Sequence, residues 1–204
     1  MPPLTRSAAR AASAGTDVTG VQALRLPVSN RGKVVWEHRE TDLYTGKGRD
    51  ETPDAQVDHV LEVQLAEYAF VRAYGAAGAR AGSMAATQAH EQIADVLNGV
   101  ANLNVTTRAI NCAKRGPFTR ALNRLNSDSL RDLTLEQLAR TGSTTKPLVD
   151  DGTWARIEGA IVNAYDVTEE TLNARTALPA AAELTAHTLE ELASVLGRLG
   201  VHNH

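Results

Sequence analysis

The stretch Gln56-Val57-Asp58-His59-Val60-Leu61-Glu62, with Ala101-Asn102-Leu103 and Ile110-Asn111-Cys112-Ala113-Lys114-Arg115-Gly116 after it, decides how the chain is read. Asp58 and Asn111 carry oxygen donors of the kind a hard cation such as Mg²⁺ accepts. His59 has the side chain whose ordinary pKa suits it to taking a proton from water near neutrality. Lys114 stands one helical turn beyond Asn111, so on a helix it points along the same face. Together these residues predict metal-assisted hydrolysis of a phosphodiester. Side chains alternate across a strand, so Asp58 and His59 serve one site only if the chain leaves the strand at His59. A short strand over 56–58 is therefore expected, then a helix from about Val60 with Leu61, Leu65, Tyr68 and Ala69 at helical spacing. Glu62 lies one turn past His59. It orients the imidazole, joins a metal shell, or is a solvated residue of the helix surface.

These residues resemble the HNH endonucleases of the His-Me finger (ββα-metal) superfamily. In that family a strand ends in Asp-His, a second strand carries an Asn, and a helix presents the last motif residue followed by a Lys. The likeness covers about 60 of the 204 residues, and Tyr44-Thr45-Gly46 resembles the turn that often precedes the Asp-His strand. Asn111 in place of a His resembles the HNN variants. Between His59 and Asn102 lie enough residues for a helical insertion at about 60–98. The resemblance implies a mainly α fold with a small β component, a ββα-metal core with that insertion, and a helical C-terminal part. It implies a divalent-metal-dependent endonuclease acting on nucleic acid, DNA foremost. His59 would be the general base, and Asn102 would brace the loop or orient His59. Lys114 would neutralise phosphate charge, and Asp58 and Asn111 would hold Mg²⁺ or Mn²⁺. Two alternatives stay open. One is a catalytically inactive finger that binds nucleic acid or protein. The other is an all-helical interaction protein in which these residues are caps and surface groups.

Composition agrees with packed helices. Hydrophobic residues make up 43% of the chain, yet only 4% is aromatic and alanine is abundant. The net charge of −3 gives no global attraction to a polyanion. A local one is present, because 107–131 holds Arg108, Lys114, Arg115, Arg120, Arg124 and Arg131 against a single acid, Asp128. Arg108, Arg115, Arg120 and Arg124 are accordingly the candidate nucleic-acid contacts. The single cysteine, Cys112, excludes an internal disulfide and a cysteine-based zinc knuckle, so no structural zinc is expected; Cys112 itself is read as a small buried filler. No apolar run is long enough to span a membrane, so a soluble protein with an intracellular site of action is expected, a secreted effector or toxin being the alternative.

Along the chain, residues 1–17 read as a disordered tail whose Ala/Ser/Arg composition also suits a transit peptide. A finger core over 18–126 and a helical region over 127–204 follow. Within the core, 18–38 reads as a loose hairpin and His38 as a surface histidine. Gly75 to Gly82 reads as a linker, and Ser83 as the cap of a helix over 84–97 in which His90 is structural. The second strand is expected over Val100 to Val105, with Asn102 and Asn104 on one face and Leu103 and Val105 on the other. The helix carrying Asn111 should stop at Gly116-Pro117, with Pro117 opening the next. Beyond it, Thr134 with Gln137 predicts a capping box. Asp150 or Asp151 caps a helix with Trp154, Ile157, Ile161 and Tyr165 on one stripe. Asp166 with Glu169 and Thr188 with Glu191 repeat the capping pattern. Leu189, Leu192, Leu196 and Leu199 form an apolar stripe that is either core or a homodimer seam. An inhibitory partner protein is a further expectation.

Overall fold

The computed structural model describes residues 28–52, 54–77, 82–125, 134–140 and 149–201. The expected tail over 1–17 and residues 78–81 of the expected linker lie outside the described residues, while Gly75 to Ala77 and Gly82 belong to helices. In chain order the elements are α1 (Val28–His38), β1 (Ala55–His59), α2 (Val63–Ala77), α3 (Gly82–Leu97), β2 (Leu103–Thr107), α4 (Arg108–Leu125), α5 (Leu135–Arg140), α6 (Asp151–Asn173) and α7 (Pro179–Arg198). The fold is mainly helical, with one two-stranded antiparallel sheet. No helix among the described residues is long and apolar enough to cross a membrane.

The register of the sheet pairs Asp58 with Asn104 and His59 with Leu103. Residues directly opposite in such a pair share a face. One face is therefore apolar: Val35 of α1 packs with Leu103 and Val105, and Val57 and Ala55 border them. The other face presents Gln56, Asp58, Asn104 and Thr106. Helix α2 and helix α3 intervene between the strands, and α7 packs against both of them. The large core joins Leu65, Phe70, Ile93 and Leu97 of that pair to Leu189, Leu192 and Leu196 of α7 and Ile157, Ile161 and Tyr165 of α6. The leucine stripe of α7 is thus filled from within the chain and is core. His90 lies in this core edge-on to Phe70, ring centroids 5.3 Å apart, and burial lowers its pKa.

Several expectations are corrected. Val28–His38 is a helix, because Arg31 and Val35, four apart, both turn to the sheet; tertiary packing overrides the β preference of Val34 and Val35. His38 is exposed on it, as expected. The strand at Asp58 continues through His59. The second strand starts at Leu103, since Val100–Asn102 is a 3₁₀ turn. Helix α4 runs through Pro117: the proline forgoes one helical bond, but Ile110, Lys114, Pro117, Phe118, Ala121 and Leu125 form a continuous buried stripe that carries the helix across it. Cys112 lies off that stripe and is exposed. Asp166 and Thr188 are interior to α6 and α7; the Thr188 hydroxyl donates to the Leu184 carbonyl, not to a cap. The Thr134–Gln137 box is formed in both directions, at 2.8 and 3.2 Å, and Asp150 caps α6 by accepting from the Thr153 N–H at 2.8 Å.

Asn102 ties these layers together. Its side-chain oxygen accepts from the Leu61 N–H at 2.6 Å, and its amide nitrogen donates to the Leu61 and Leu97 carbonyls at 3.1 and 2.9 Å. Its own carbonyl accepts from the Val60 N–H at 2.8 Å. The side chain is fully buried. Asn102→Ala strands one N–H and two carbonyls in the interior, so a loss of roughly 3 kcal/mol or more is expected in urea unfolding. A loss within about 0.5 kcal/mol, the range of ordinary surface changes, would show that the brace does not hold the fold.

Candidate active site

The turn before β1 is built on Asp42. Its carboxylate accepts from the Tyr44 N–H at 2.9 Å, the Thr45 hydroxyl at 2.8 Å, the Asn104 amide at 2.8 Å and the Thr106 hydroxyl at 3.0 Å. Gly46 closes the turn at φ 72°, a backbone conformation that favours glycine. The turn thereby delivers the Tyr44 hydroxyl into the interior, where it donates to Asp58 Oδ2 at 2.7 Å.

Lys114 arrives at the same oxygen from α4. Its Nζ donates to Asp58 Oδ2 at 2.8 Å, lies 3.1 Å from Glu62 Oε1, and also donates to the His59 carbonyl. The rings of Tyr44 and Phe118 flank it, their centroids 5.8 and 5.7 Å from Nζ. Nothing of Lys114 reaches solvent. Burial pulls this ammonium toward neutrality, but Asp58 and Glu62 outweigh burial and lift its pKa above the ordinary lysine value. Burial raises the Asp58 pKa; Lys114 opposes the rise and Glu62 adds to it. Burial, then the Asp58 charge, pushes the Tyr44 hydroxyl well up, so it stays a neutral donor.

His59 faces the other way. Its imidazole is 2% exposed. Nε2 stands 3.0 Å from Asn98 Oδ1, and Nδ1 stands 3.3 Å from a terminal nitrogen of Arg31. Arginine can only donate, so Nδ1 is the acceptor and the ring proton sits on Nε2, directed at Asn98. The Asn98 amide nitrogen donates to the Ala94 carbonyl at 2.6 Å, which fixes that orientation.

The structure thus gathers Asp58 and Lys114, with Asn102 bracing the segment after His59. It does not gather the rest as expected. Asp58 and His59 lie on opposite faces of β1, because the strand continues through both. The Asn111 amide donates to Gln56 Oε1 at 3.0 Å, two residues before Asp58 on the same strand face; no bond joins Asn111 to Asp58. Lys114 holds carboxylates in the interior and presents no charge to a phosphate. Glu62 is buried and directs Oε1 to the Lys114 ammonium at 3.1 Å. Of the four arginines, Arg108 and Arg115 are exposed, but Arg120 donates to the Leu138 carbonyl at 2.8 Å. Sequence reasoning passed over Arg31, Asp42, Asn98 and Asn104. Asn104 had a signal, its position on the same strand face as Asp58; the others had none.

Among the described residues no group of three or more His, Cys, Asp or Glu side chains is placed to hold a metal ion. The oxygens of Asp58, Glu62 and the His59 carbonyl do converge, and they are the hard donors that a divalent cation takes. The Lys114 ammonium stands where they converge, in the role of the cation. A metal ion would take these oxygens only if the Lys114 ammonium left them. Comparisons with protein-family models, with curated proteins and with solved structures return no match for this chain.

Lys114→Met removes the cation and leaves two carboxylates in the interior. A loss of about 3–5 kcal/mol at neutral pH is expected. Burial, which already raises the Asp58 pKa, is then no longer opposed by the ammonium, so the folded form binds a proton at Asp58 more tightly than the unfolded chain. Stability from this group is present at low pH and disappears as pH rises through its folded value. The deficit relative to wild type should narrow from neutral pH toward about pH 5 in denaturant unfolding. A deficit independent of pH contradicts the charge cluster.

Proposed function

We propose that the chain is a divalent-metal-dependent endonuclease of the HNH kind, in its HNN form, hydrolysing phosphodiester bonds with DNA as the first substrate to test. The observation that carries this reading is the order β1, β2, α4. An Asp-His pair ends the first strand, Asn102 grips the turn after it, and α4 follows the second strand at once with Asn111 and Lys114 toward the sheet. Asp58 and Glu62 would hold the cation, which supplies a Lewis acid to the phosphate when bound. His59 would take the proton of water at Nδ1, which requires the Arg31 guanidinium that now donates to that nitrogen to give up its place. Asn98 holds the ring by Nε2, so the imidazolium formed is stabilised through the same bond. Arg31, the neighbour of Nδ1, is the cation nearest to where a phosphate oxygen would lie.

A second reading has an observation of its own. Lys114 already pairs with both carboxylates, and His59 is sealed on the other face of the strand, as in a finger that only binds. One experiment separates the two. Supercoiled plasmid is incubated with the protein in Mg²⁺, in Mn²⁺ and in EDTA. Cleavage with either metal, abolished by EDTA and lowered roughly 10²–10⁴-fold in His59→Ala, is the expected result. Binding without cleavage under all three conditions upholds the binding module instead.

The exposed arginines give the nucleic-acid interface its own test. Arg108 and Arg115 are seven residues apart on α4, two turns, and both face solvent. Replacing both with Ala should lower the slope of log affinity against log salt by about two, one for each phosphate no longer neutralised. An unchanged slope removes α4 from the interface.

A further inference from the structure

A second polar centre lies away from Asp58 and Lys114. One face of α6 presents Arg156, Ala160 and Asn163, at i, i+4 and i+7. It lies against the 3₁₀ turn Val100–Asn102 and the turn at Tyr44. Between them is an open cleft of about 370 Å³, lined by Arg39, Leu43, Ala101, Arg156, Ala160 and Asn163. Two guanidiniums and an amide line it, and no lining residue is acidic.

The two arginines are positioned by neutral oxygens. Arg39 donates to the Val100 carbonyl at 2.8 Å. Arg156 donates through Nε to the Tyr44 carbonyl and through a terminal nitrogen to the Thr153 hydroxyl at 3.0 Å. No carboxylate among the described residues forms an ion pair with either one. Asp150, whose pKa Arg156 helps to lower, directs its hydrogen bonds to Thr153. Arg39 Nε is buried and has no hydrogen-bond acceptor among the described residues. Burial lowers the Arg39 pKa. A buried charged donor without an acceptor is costly, and native proteins seldom retain one outside a site that uses it.

We propose that this cleft binds a phosphate group carried on a small organic ligand of nucleotide size. Guanidiniums fit phosphate oxygens in pairs, and two of them balance a phosphate dianion. The volume exceeds what a bare phosphate needs and falls among small-molecule sites; Leu43, Ala101 and Ala160 offer an apolar wall, and the Asn163 amide offers one donor and one acceptor. The site is separate from Asp58 and His59, so its occupancy does not depend on nuclease activity.

Calorimetry at low salt tests the proposal with inorganic phosphate and with adenosine monophosphate as probes. Both should bind, the nucleotide more tightly. Arg39→Gln should weaken both by roughly tenfold or more. Ala160→Glu places a carboxylate in the cleft on a helix that tolerates glutamate, and it should abolish binding while leaving thermal unfolding cooperative. A 5′-phosphorylated dinucleotide tells the sources apart: tighter binding than the mononucleotide identifies a polynucleotide end, and equal or weaker binding identifies a free nucleotide. Wild-type protein that binds neither phosphate nor the nucleotide overturns the proposal. So does a folded Ala160→Glu protein that binds them like wild type.

Discussion

A lysine ammonium closed off from solvent is the constraint around which this chain is arranged. Taking a cation out of water is expensive, and only close anionic partners with satisfied hydrogen bonds offset the cost. Lys114 obtains Asp58 from the strand, Glu62 from the segment leading into α2 and the His59 carbonyl between them. The partners come from both sides of the turn that ends β1, so the lysine fixes the path of the chain where strand gives way to helix. Tyr44 completes the shell on Asp58, and through it the turn built on Asp42 is joined to the same point. These bonds tie the 40s turn, β1, the entry to α2 and α4 to one nitrogen atom.

The charges at that point do not cancel. Two carboxylates and one ammonium leave a surplus of one negative charge in a region that water does not reach. Burial and the neighbouring Glu62 accordingly raise the Asp58 pKa despite the adjacent lysine. A proton, a further cation or a phosphate-bound metal would each relieve the surplus. A cluster of this kind responds to what is brought near it, whereas a neutral apolar packing of the same volume would not. The structural role of Lys114 and a chemical role for Asp58 and Glu62 are therefore compatible.

The sequence carried the helical character of the chain and the pair of short strands, because both rest on local periodicity. The stripe Trp154, Ile157, Ile161 and Tyr165 is buried as its spacing requires, and Asn102 braces the turn after His59 as the motif implied. Wherever tertiary packing outweighed a local preference, the pattern misled. Val34 and Val35 favour a strand in isolation, yet α1 forms because Arg31 and Val35 together meet the sheet. Gly116-Pro117 reads as a stop, yet the buried stripe from Ile110 to Leu125 carries α4 through it. The site was half legible for a similar reason. Motif spacing places Asp58, Asn102 and Lys114, but the partners that decide their roles come from far along the chain. Arg31, Asp42 and Asn98 lie 28, 64 and 39 residues from the groups they hold, and no local pattern marks them.

Strand parity imposes the last step. Adjacent residues of a regular strand point to opposite faces, so while β1 continues through His59 the sheet separates the imidazole from the Asp58 carboxylate. Chemistry that needs both groups can occur only at the end of the strand, where the partition stops. His59 is the final residue of β1, and the chain bends away at Val60. The bend is held by the Val60 N–H on the Asn102 carbonyl and the Leu61 N–H on the Asn102 side chain, while Lys114 grips the His59 carbonyl just before it. The ammonium that pairs with the Asp58 carboxylate on one face thus also holds the backbone of the residue whose imidazole lies on the other.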